Sequence, residues 1–408
     1  MYIVYWNPPK ARQITFEEIL AGVTNADQLK CIGDKTSTKT VSTSKLNTRL
    51  RAITNIPQMI QQLEEFNAKH IELEMNPLAP HYRHFEIPKK SGGVRPIDAP
   101  DKELSDALVE LRELLRGFMI ADYHNAAYAY VPGRSTLKAV QKHQQGQFVT
   151  RVNPETGESE RVRYENNFTA SFDFHGFFPS TTLDFLMLSL NTIYPFSLIM
   201  QDAKGREQLE VALSLAFLNG GLPQGTPFSP WITNVMMIPF DHLMSRKLTK
   251  FKMEDGVERR FTYTRYADDI DVSCPLSFNV KEIQGVILKA LEYINAPFTL
   301  NEKKTHYVNR HSCSNWMLGL QWGQTNTITV GHKNMKQFKA MLTYYVVAKK
   351  NKNPWELEDV QKLNGLISYY KMVEEDVVNH IIDRYNDKFK VDIMAMILDD
   401  LTPEEGQM

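Results

Sequence analysis

The stretch Arg265-Tyr266-Ala267-Asp268-Asp269-Ile270-Asp271-Val272-Ser273 limits what this chain can fold into more than any other. Before it, Phe261, Tyr263 and Arg265 alternate with Thr262, Thr264 and Tyr266; after the pair, Ile270 and Val272 alternate with Asp271 and Ser273. A period of two on both sides predicts two strands. Asp268 and Asp269 then stand at or beside the tight turn of a hairpin, with their carboxylates projecting from its tip. Two carboxylates so placed repel each other unless a cation lies between them, and hard oxygen ligands of this kind suit Mg²⁺. Taken alone, Asp-Asp reads more simply as a solvated turn, so the pair acquires meaning only with partners elsewhere in the chain.

One partner lies 95 residues upstream of Asp268. Phe168 to Phe174 is a mostly apolar run that predicts a buried strand, with Asp173 near its end. A carboxylate there needs an ion pair or a metal. The chain then turns at Gly176 and Pro179 and is expected to enter a helix with Ser180 or Thr181 as N-cap. Three carboxylates brought together in this way would complete a two-metal site for in-line phosphoryl transfer.

These residues belong to an ordered series. FEIPKKSGGVRPIDAP (85–100), AYAYVPGRST (127–136), SFDFHGFFPS, GLPQGTPFSPWITNVMM (221–237), RYADDIDVS, LNEKKT (300–305) and WMLGL (316–320) follow one another along the chain. In that order they resemble the sequence blocks of a reverse transcriptase, over roughly residues 80–320. The resemblance implies an α+β right-hand polymerase fold with fingers, a palm of antiparallel sheet plus helices, and a helical thumb. It divides the chain into an N-terminal extension (1–79), fingers (80–167), palm (168–325, with the catalytic hairpin at 261–273) and thumb (326–408).

The resemblance also implies a site. Asp173, Asp268 and Asp269 are the catalytic and metal-holding residues, for two Mg²⁺ ions with Mn²⁺ as a possible substitute. Lys89 and Arg95, on a fingers hairpin turned by Gly92 and Gly93, are nucleotide-binding cations; exposed hairpin charges are the plainer reading. Phe178 matches the bulky residue that excludes a ribonucleotide 2′-hydroxyl, with a core aromatic as its alternative. Gln224 reaches the nucleotide or template by hydrogen bonds, Lys304 stands near the nucleotide phosphates, and Tyr266 abuts the primer end. The implied reaction is template-directed DNA synthesis from deoxynucleoside triphosphates.

Composition is that of an ordinary globular chain, with 42% of residues hydrophobic and 23% charged, which excludes general disorder. No apolar run approaches the length of a membrane span, and MYIVYWNPPKARQ lacks the pattern of a secretory signal. Cys31, Cys274 and Cys313 are too scattered for a disulfide framework or zinc site, which fits a reducing cytoplasm. A net charge of −1 provides no global attraction for nucleic acid, so phosphate affinity must come from local clusters. Two such clusters stand out: Lys35, Lys39, Lys45, Arg49 and Arg51 within a Ser/Thr-rich segment, and Lys333, Lys336 and Lys339 along a predicted thumb helix. Asp241 and His242, in a helix expected to kink at Pro239, read as surface or capping groups.

Within the family, no zinc-binding, His-Asn-His or ribonuclease H-like segment follows LNEKKT, which disfavours mobile-intron and retroviral types. GRST and NGLISYY look most like retron and other defence-associated bacterial enzymes, although LGLQWGQTN replaces the Val-Thr-Gly segment typical of retron thumbs. The expected function is complementary DNA synthesis from a structured noncoding RNA, in defence against phage. The template, the priming hydroxyl (of RNA or protein) and the oligomeric state stay open. The rivals are a template-independent or protein-primed DNA polymerase on the same fold and a nonenzymatic RNA-binding protein.

Overall fold

The fold is that of a computed structural model, which describes residues 55–88, 92–152, 157, 159–311 and 315–402. Most of the N-terminal extension with its basic segment, Lys89, Cys31 and Cys313 lie outside these residues. Helix α1 (Ile56–Lys69) leads to the antiparallel hairpin of β1 (Tyr82–Pro88) and β2 (Val94–Pro100) and then to α2 (Lys102–Phe118). Next come α3 (Thr136–Gln144), a second hairpin of β3 (Gln147–Val152) and β4 (Ser159–Tyr164), and β5 (Phe168–His175). Helices α4 (Leu183–Leu190), α5 (Ala203–Ser214), α6 (Ser229–Met236) and α7 (Ile238–Thr249) precede the short pair β6 (Phe251–Lys252) and β7 (Glu258–Arg259). Then follow β8 (Thr262–Tyr266), β9 (Asp269–Cys274), α8 (Val280–Tyr293), β10 (Thr299–Leu300) and β11 (His306–Asn309). The chain continues through β12 (Asn315–Met317), β13 (Leu320–Trp322), β14 (Ile328–Thr329), α9 (His332–Lys350), α10 (Leu357–Phe389) and α11 (Ile393–Leu401).

Two compact units emerge. The first takes the described residues up to Arg134 together with Ser171–Asp271 and Phe278–Thr305; the second takes Ser135–Ala170, Val272–Ser277 and the residues from His306. The main sheet has the order β10-β5-β9-β8, with β11 also on β5, so β5 and β9 each contribute residues to both units.

In the first unit, Gly92 and Gly93 take positive φ (88° and 79°) in the β1–β2 turn, a conformation that costs glycine nothing. Asp101 caps α2 by accepting the Leu104 N–H, and Leu104, Ala107, Leu108, Leu111 and Leu115 form its buried stripe. The helix expected to kink at Pro239 is instead two helices, α6 and α7, broken at Met237, with Pro239 in the first turn of α7. A proline fits a first turn because its missing N–H would have no intrahelical partner there. The predicted cap at Ser180 or Thr181 moves one step: Thr182 caps α4 through the Phe185 N–H.

The second unit is built round a core in which Val140 of α3 meets Trp322 of β13, Phe338 and Leu342 of α9, and Val360, Leu363 and Ile367 of α10. Helix α10 bends at Glu374 (φ −139°, ψ 61°), whose carboxylate accepts the Val330 N–H at 2.7 Å. Lys333, Lys336 and Lys339 are exposed along α9, opposite the buried Met335 and Phe338. No helix among the described residues is long and apolar enough to cross a membrane.

Candidate active site

The site grows from the β8–β9 hairpin, whose loop is the two residues Ala267 and Asp268. Ala267 has φ 56°, the sign that primed hairpin turns demand of their first central residue. Holding a residue with a Cβ there costs about 1–2 kcal/mol, and the surrounding bonds over-determine it. Arg265 is fully buried; its Nη1 donates to the Ala267 carbonyl at 3.1 Å, and its Nε and Nη2 donate to Asp241 at 2.9 and 2.7 Å. The Tyr263 hydroxyl donates to the same carboxylate at 2.6 Å. Asp241 is therefore an interior counter-ion, not a surface or capping group. Phe261, just before β8, and Tyr263 and Arg265 on it are all buried, and a buried guanidinium cannot shed its charge and requires a carboxylate. His242 is half-buried, edge-on to His124. The chain at Ala126–Tyr128 lies against β8: the Arg265 N–H donates to Ala126 at 2.7 Å, and the Tyr128 N–H donates to Arg265 at 2.8 Å.

Asp173 enters from β5. The Phe174 N–H donates to the Asp268 carbonyl at 3.1 Å, which ties this strand to the turn. The Asn301 N–H donates to the Asp173 carbonyl at 2.8 Å, and Lys304 places its Nζ 2.7 Å from Asp173 Oδ1. The three sequence-predicted carboxylates and the predicted lysine thus come together.

Their electrostatics follow from crowding. Burial first, then the charges of Asp268, Asp271 and Asp173, push the Asp269 carboxyl up to about 8, with Lys304 opposing. Asp268 is also raised, by burial and by Asp173, against the pull of Lys304 and Arg95. Lys304 is raised by its bond to Asp173. A fourth acid, Asp271, is 2% exposed and pushed up to about 6 by burial. It accepts the Ser171 hydroxyl on Oδ1, while its Oδ2 has no hydrogen-bond partner among the described residues.

Among the described residues, no group of three or more His, Cys, Asp and Glu side chains is closed into a ready-made metal cage. The donor chemistry nonetheless fits a hard divalent cation: oxygen ligands only, mutually repelling, with raised carboxyls that added positive charge would relieve. Asp173, Asp268 and Asp269 are the residues that would hold it.

Arg95 is exposed on β2, across from Ile87, and its charge reaches Asp268. Phe178 is half-buried, edge-on to Phe177, whereas Phe174 and Phe177 sit in the core with Phe298; of the three rings only Phe178 faces outward. Gln224 is half-buried in a loop seated on β2, its carbonyl accepting the Asp98 N–H at 2.8 Å. Tyr266 is half-buried at the end of β8. Lys89 falls outside the described residues.

Sequence reasoning passed over Tyr130. It has φ 57° and is 53% exposed, and its phenol is raised by burial and by the nearby Asp268 and Tyr266, with Arg95 opposing. It therefore shares the locality of the carboxylates. The block AYAYVPGRST marked the loop, and no periodicity singled out this ring.

The family model described as Reverse transcriptase (RNA-dependent DNA polymerase) matches residues 87–339. The chain is 27% identical to the retron Ec73 reverse transcriptase of Escherichia coli, over 75% of this chain and 86% of that protein. It is 26% identical to the retron Mx65 reverse transcriptase of Myxococcus xanthus, over 74% of this chain and 64% of that protein. Among solved structures, apo telomerase from Candida tropicalis superposes with a TM-score of 0.44 at 12% identity, covering 80% of this chain and 62% of that one.

Proposed function

The chain belongs to the reverse transcriptase family, the RNA-directed DNA polymerases, and we propose that it copies a structured noncoding RNA into complementary DNA as a retron-like enzyme serving defence against phage. The observation that carries this reading is the gathering of Asp173, Asp268 and Asp269, from β5 and the β8–β9 turn, with Lys304 and Arg95 facing them. A polymerase needs that combination: anionic ligands where a primer hydroxyl meets the α-phosphorus, and cations where pyrophosphate departs.

The division of labour follows from position. Two Mg²⁺ ions, or Mn²⁺ in their stead, held by the three aspartates supply the charge neutralisation that phosphoryl transfer requires. The primer 3′-hydroxyl attacks the α-phosphorus, and the bond to the pyrophosphate oxygen breaks in line. Arg95 and Lys304 draw the triphosphate in and neutralise charge on the leaving group. Phe178 presents a ring that excludes a ribose 2′-hydroxyl, Gln224 orients nucleotide or template, and Tyr266 lies against the primer end. Fingers, palm and thumb correspond to 80–167, 168–325 and 326–408 in this reading.

The test is to purify the protein from cells carrying its native gene neighbourhood and to sequence all bound RNA and DNA. One enriched noncoding RNA with matching complementary DNA, lost in the Asp268→Ala/Asp269→Ala variant together with protection in a plaque assay, is the expected result. DNA without a counterpart in the bound RNA would point to untemplated synthesis. No DNA under any condition, infection included, would point to an RNA-binding protein.

A further inference from the structure

Away from the carboxylates, the first unit carries a groove of about 1260 Å³ bounded by the C-terminal half of α7, by β6 and by α8. Arg246, Lys247, Lys250, Lys252, Lys281 and Lys289 line it and are all exposed. Among the described residues, none of the six is held in an ion pair. Two acids, Glu254 and Glu282, share the lining, and Glu282 is engaged with the Glu254 N–H at 2.8 Å. Six positive charges against two negative ones leave a local excess in a chain whose net charge is −1.

Helix stability accounts for part of this cluster only. Arg246 and Lys247 lie in the last turn of α7, where cations complement the helix dipole. Lys281 stands in the first turn of α8, beside the cap Asn279, where the dipole disfavours a cation. Lys250, the C-cap of α7, shares the benefit of Arg246 and Lys247, whereas Lys252 lies on β6 and Lys289 lies before the last turn of α8, so neither gains from a helix end. Two rings complete the groove: Phe251, half-buried, and Tyr293, 45% exposed. Cations interleaved with aromatic faces form a surface that follows a nucleic-acid backbone and stacks unpaired bases.

The groove is distinct from the site of synthesis. Helix α7 runs beside β8, pairing Asp241 with Arg265 near the catalytic turn, while the Leu248 carbonyl accepts the Phe261 N–H at the strand's other end. The cations lie at that far end, on the order of 20 Å along the strand from Asp268.

We propose that this groove is a docking site for the phosphodiester backbone of RNA, by which the enzyme anchors the structured RNA it copies at a distance from the reacting ends. The proposal rests on the reading of the chain as an enzyme that works on such an RNA. Five of the six cations are lysines, point charges that suit phosphates without the fork geometry that reads bases. The anchor therefore recognises shape and charge, and sequence selection falls elsewhere.

The experiment uses the full chain and a Lys250→Gln/Lys252→Gln/Lys281→Gln/Lys289→Gln variant, with a four-fold Lys→Arg variant at the same positions. Binding of an RNA hairpin is measured without nucleotides across a salt series, and primer extension is measured on a short primed RNA oligonucleotide. The Gln variant is expected to bind the hairpin at least about tenfold more weakly, with a salt slope shallower by about three if all four lysines touch phosphates. Its extension rate on the short template should be unchanged, and the Arg variant should bind as the parent does. Unchanged hairpin affinity and slope in the Gln variant would overturn the proposal. A parallel fall in extension on the short template would also overturn it, by making the groove part of the catalytic path. A parent protein that binds the hairpin through these lysines yet extends nothing would sink the polymerase reading and leave the docking site standing.

Discussion

Asp269 shares its neighbourhood with three other carboxyls, and this sets a pH dependence that can be worked out in sign. Its folded-state carboxyl titrates at about 8, far above an unfolded aspartate. The folded protein therefore keeps a proton that the unfolded chain has already lost. Stability from this group is fullest below about pH 4 and falls as pH rises toward 8. In metal-free protein the melting temperature should decline across that window. Mg²⁺ should restore more of it at pH 8 than at pH 5, and Asp269→Asn should flatten the slope; equal Mg²⁺ shifts at both pH values would count against the carboxylates as its ligands. On the catalytic side, Asp173→Asn or Asp268→Asn should lower nucleotide incorporation on the order of 1000-fold. Phe178→Ala should relax deoxyribonucleotide preference by up to about 100-fold in paired kcat/KM measurements. The aspartates were legible because carboxylates at a strand end and a hairpin tip are anomalous unless they hold something. Asp271 was not: its alternation with Ile270 and Val272 reads as a half-exposed strand, whereas β9 is buried on both faces. Tyr130 was hidden for another reason, since its placement depends on a left-handed backbone that no side-chain pattern announces.

At the scale of elements, the β8–α7 pair depends on one buried ion pair. Asp241→Ala would strand the Arg265 guanidinium and leave the Tyr263 hydroxyl without its acceptor, a loss of about 3–5 kcal/mol measurable by urea unfolding. A joint Asp241→Leu/Arg265→Met change should recover part of that loss, because matched apolar groups need no desolvated partner. The sign of this burial was present in the sequence: Arg265 continues the period of Phe261 and Tyr263, and a cation in register with two aromatics faces the same interior. The β1–β2 hairpin was similarly readable, because the Gly92-Gly93 punctuation reports local geometry directly. The break at Met237 and the cap at Thr182 were not, since several adjacent residues offer the same capping or breaking chemistry and tertiary fit selects among them.

For the molecule as a whole, linear patterns say which neighbours share an element, and they do not say that residues from Ser135 share a unit with those after His306. That sharing has a mechanical consequence. A chain ending at Thr305 would strip Leu137 and Val140 of α3 of the core supplied by Trp322, Phe338 and Val360. Such a truncation should lose the part of the melting enthalpy that belongs to the second unit, read by calorimetry against the full chain.

The order in which the carboxylate cluster is assembled also sets a schedule for its birth. Among the described residues, the strand carrying Asp173 pairs with β9, β10 and β11, all encoded later, and the lysine that meets Asp173 lies 131 residues downstream of it. At ribosomal speed that interval lasts on the order of ten seconds. Throughout it, the nascent chain displays an apolar strand with both edges open and one uncompensated charge. The polymerase is inert on the ribosome until its last sheet strands emerge, and those seconds are when it most needs shelter from misfolding.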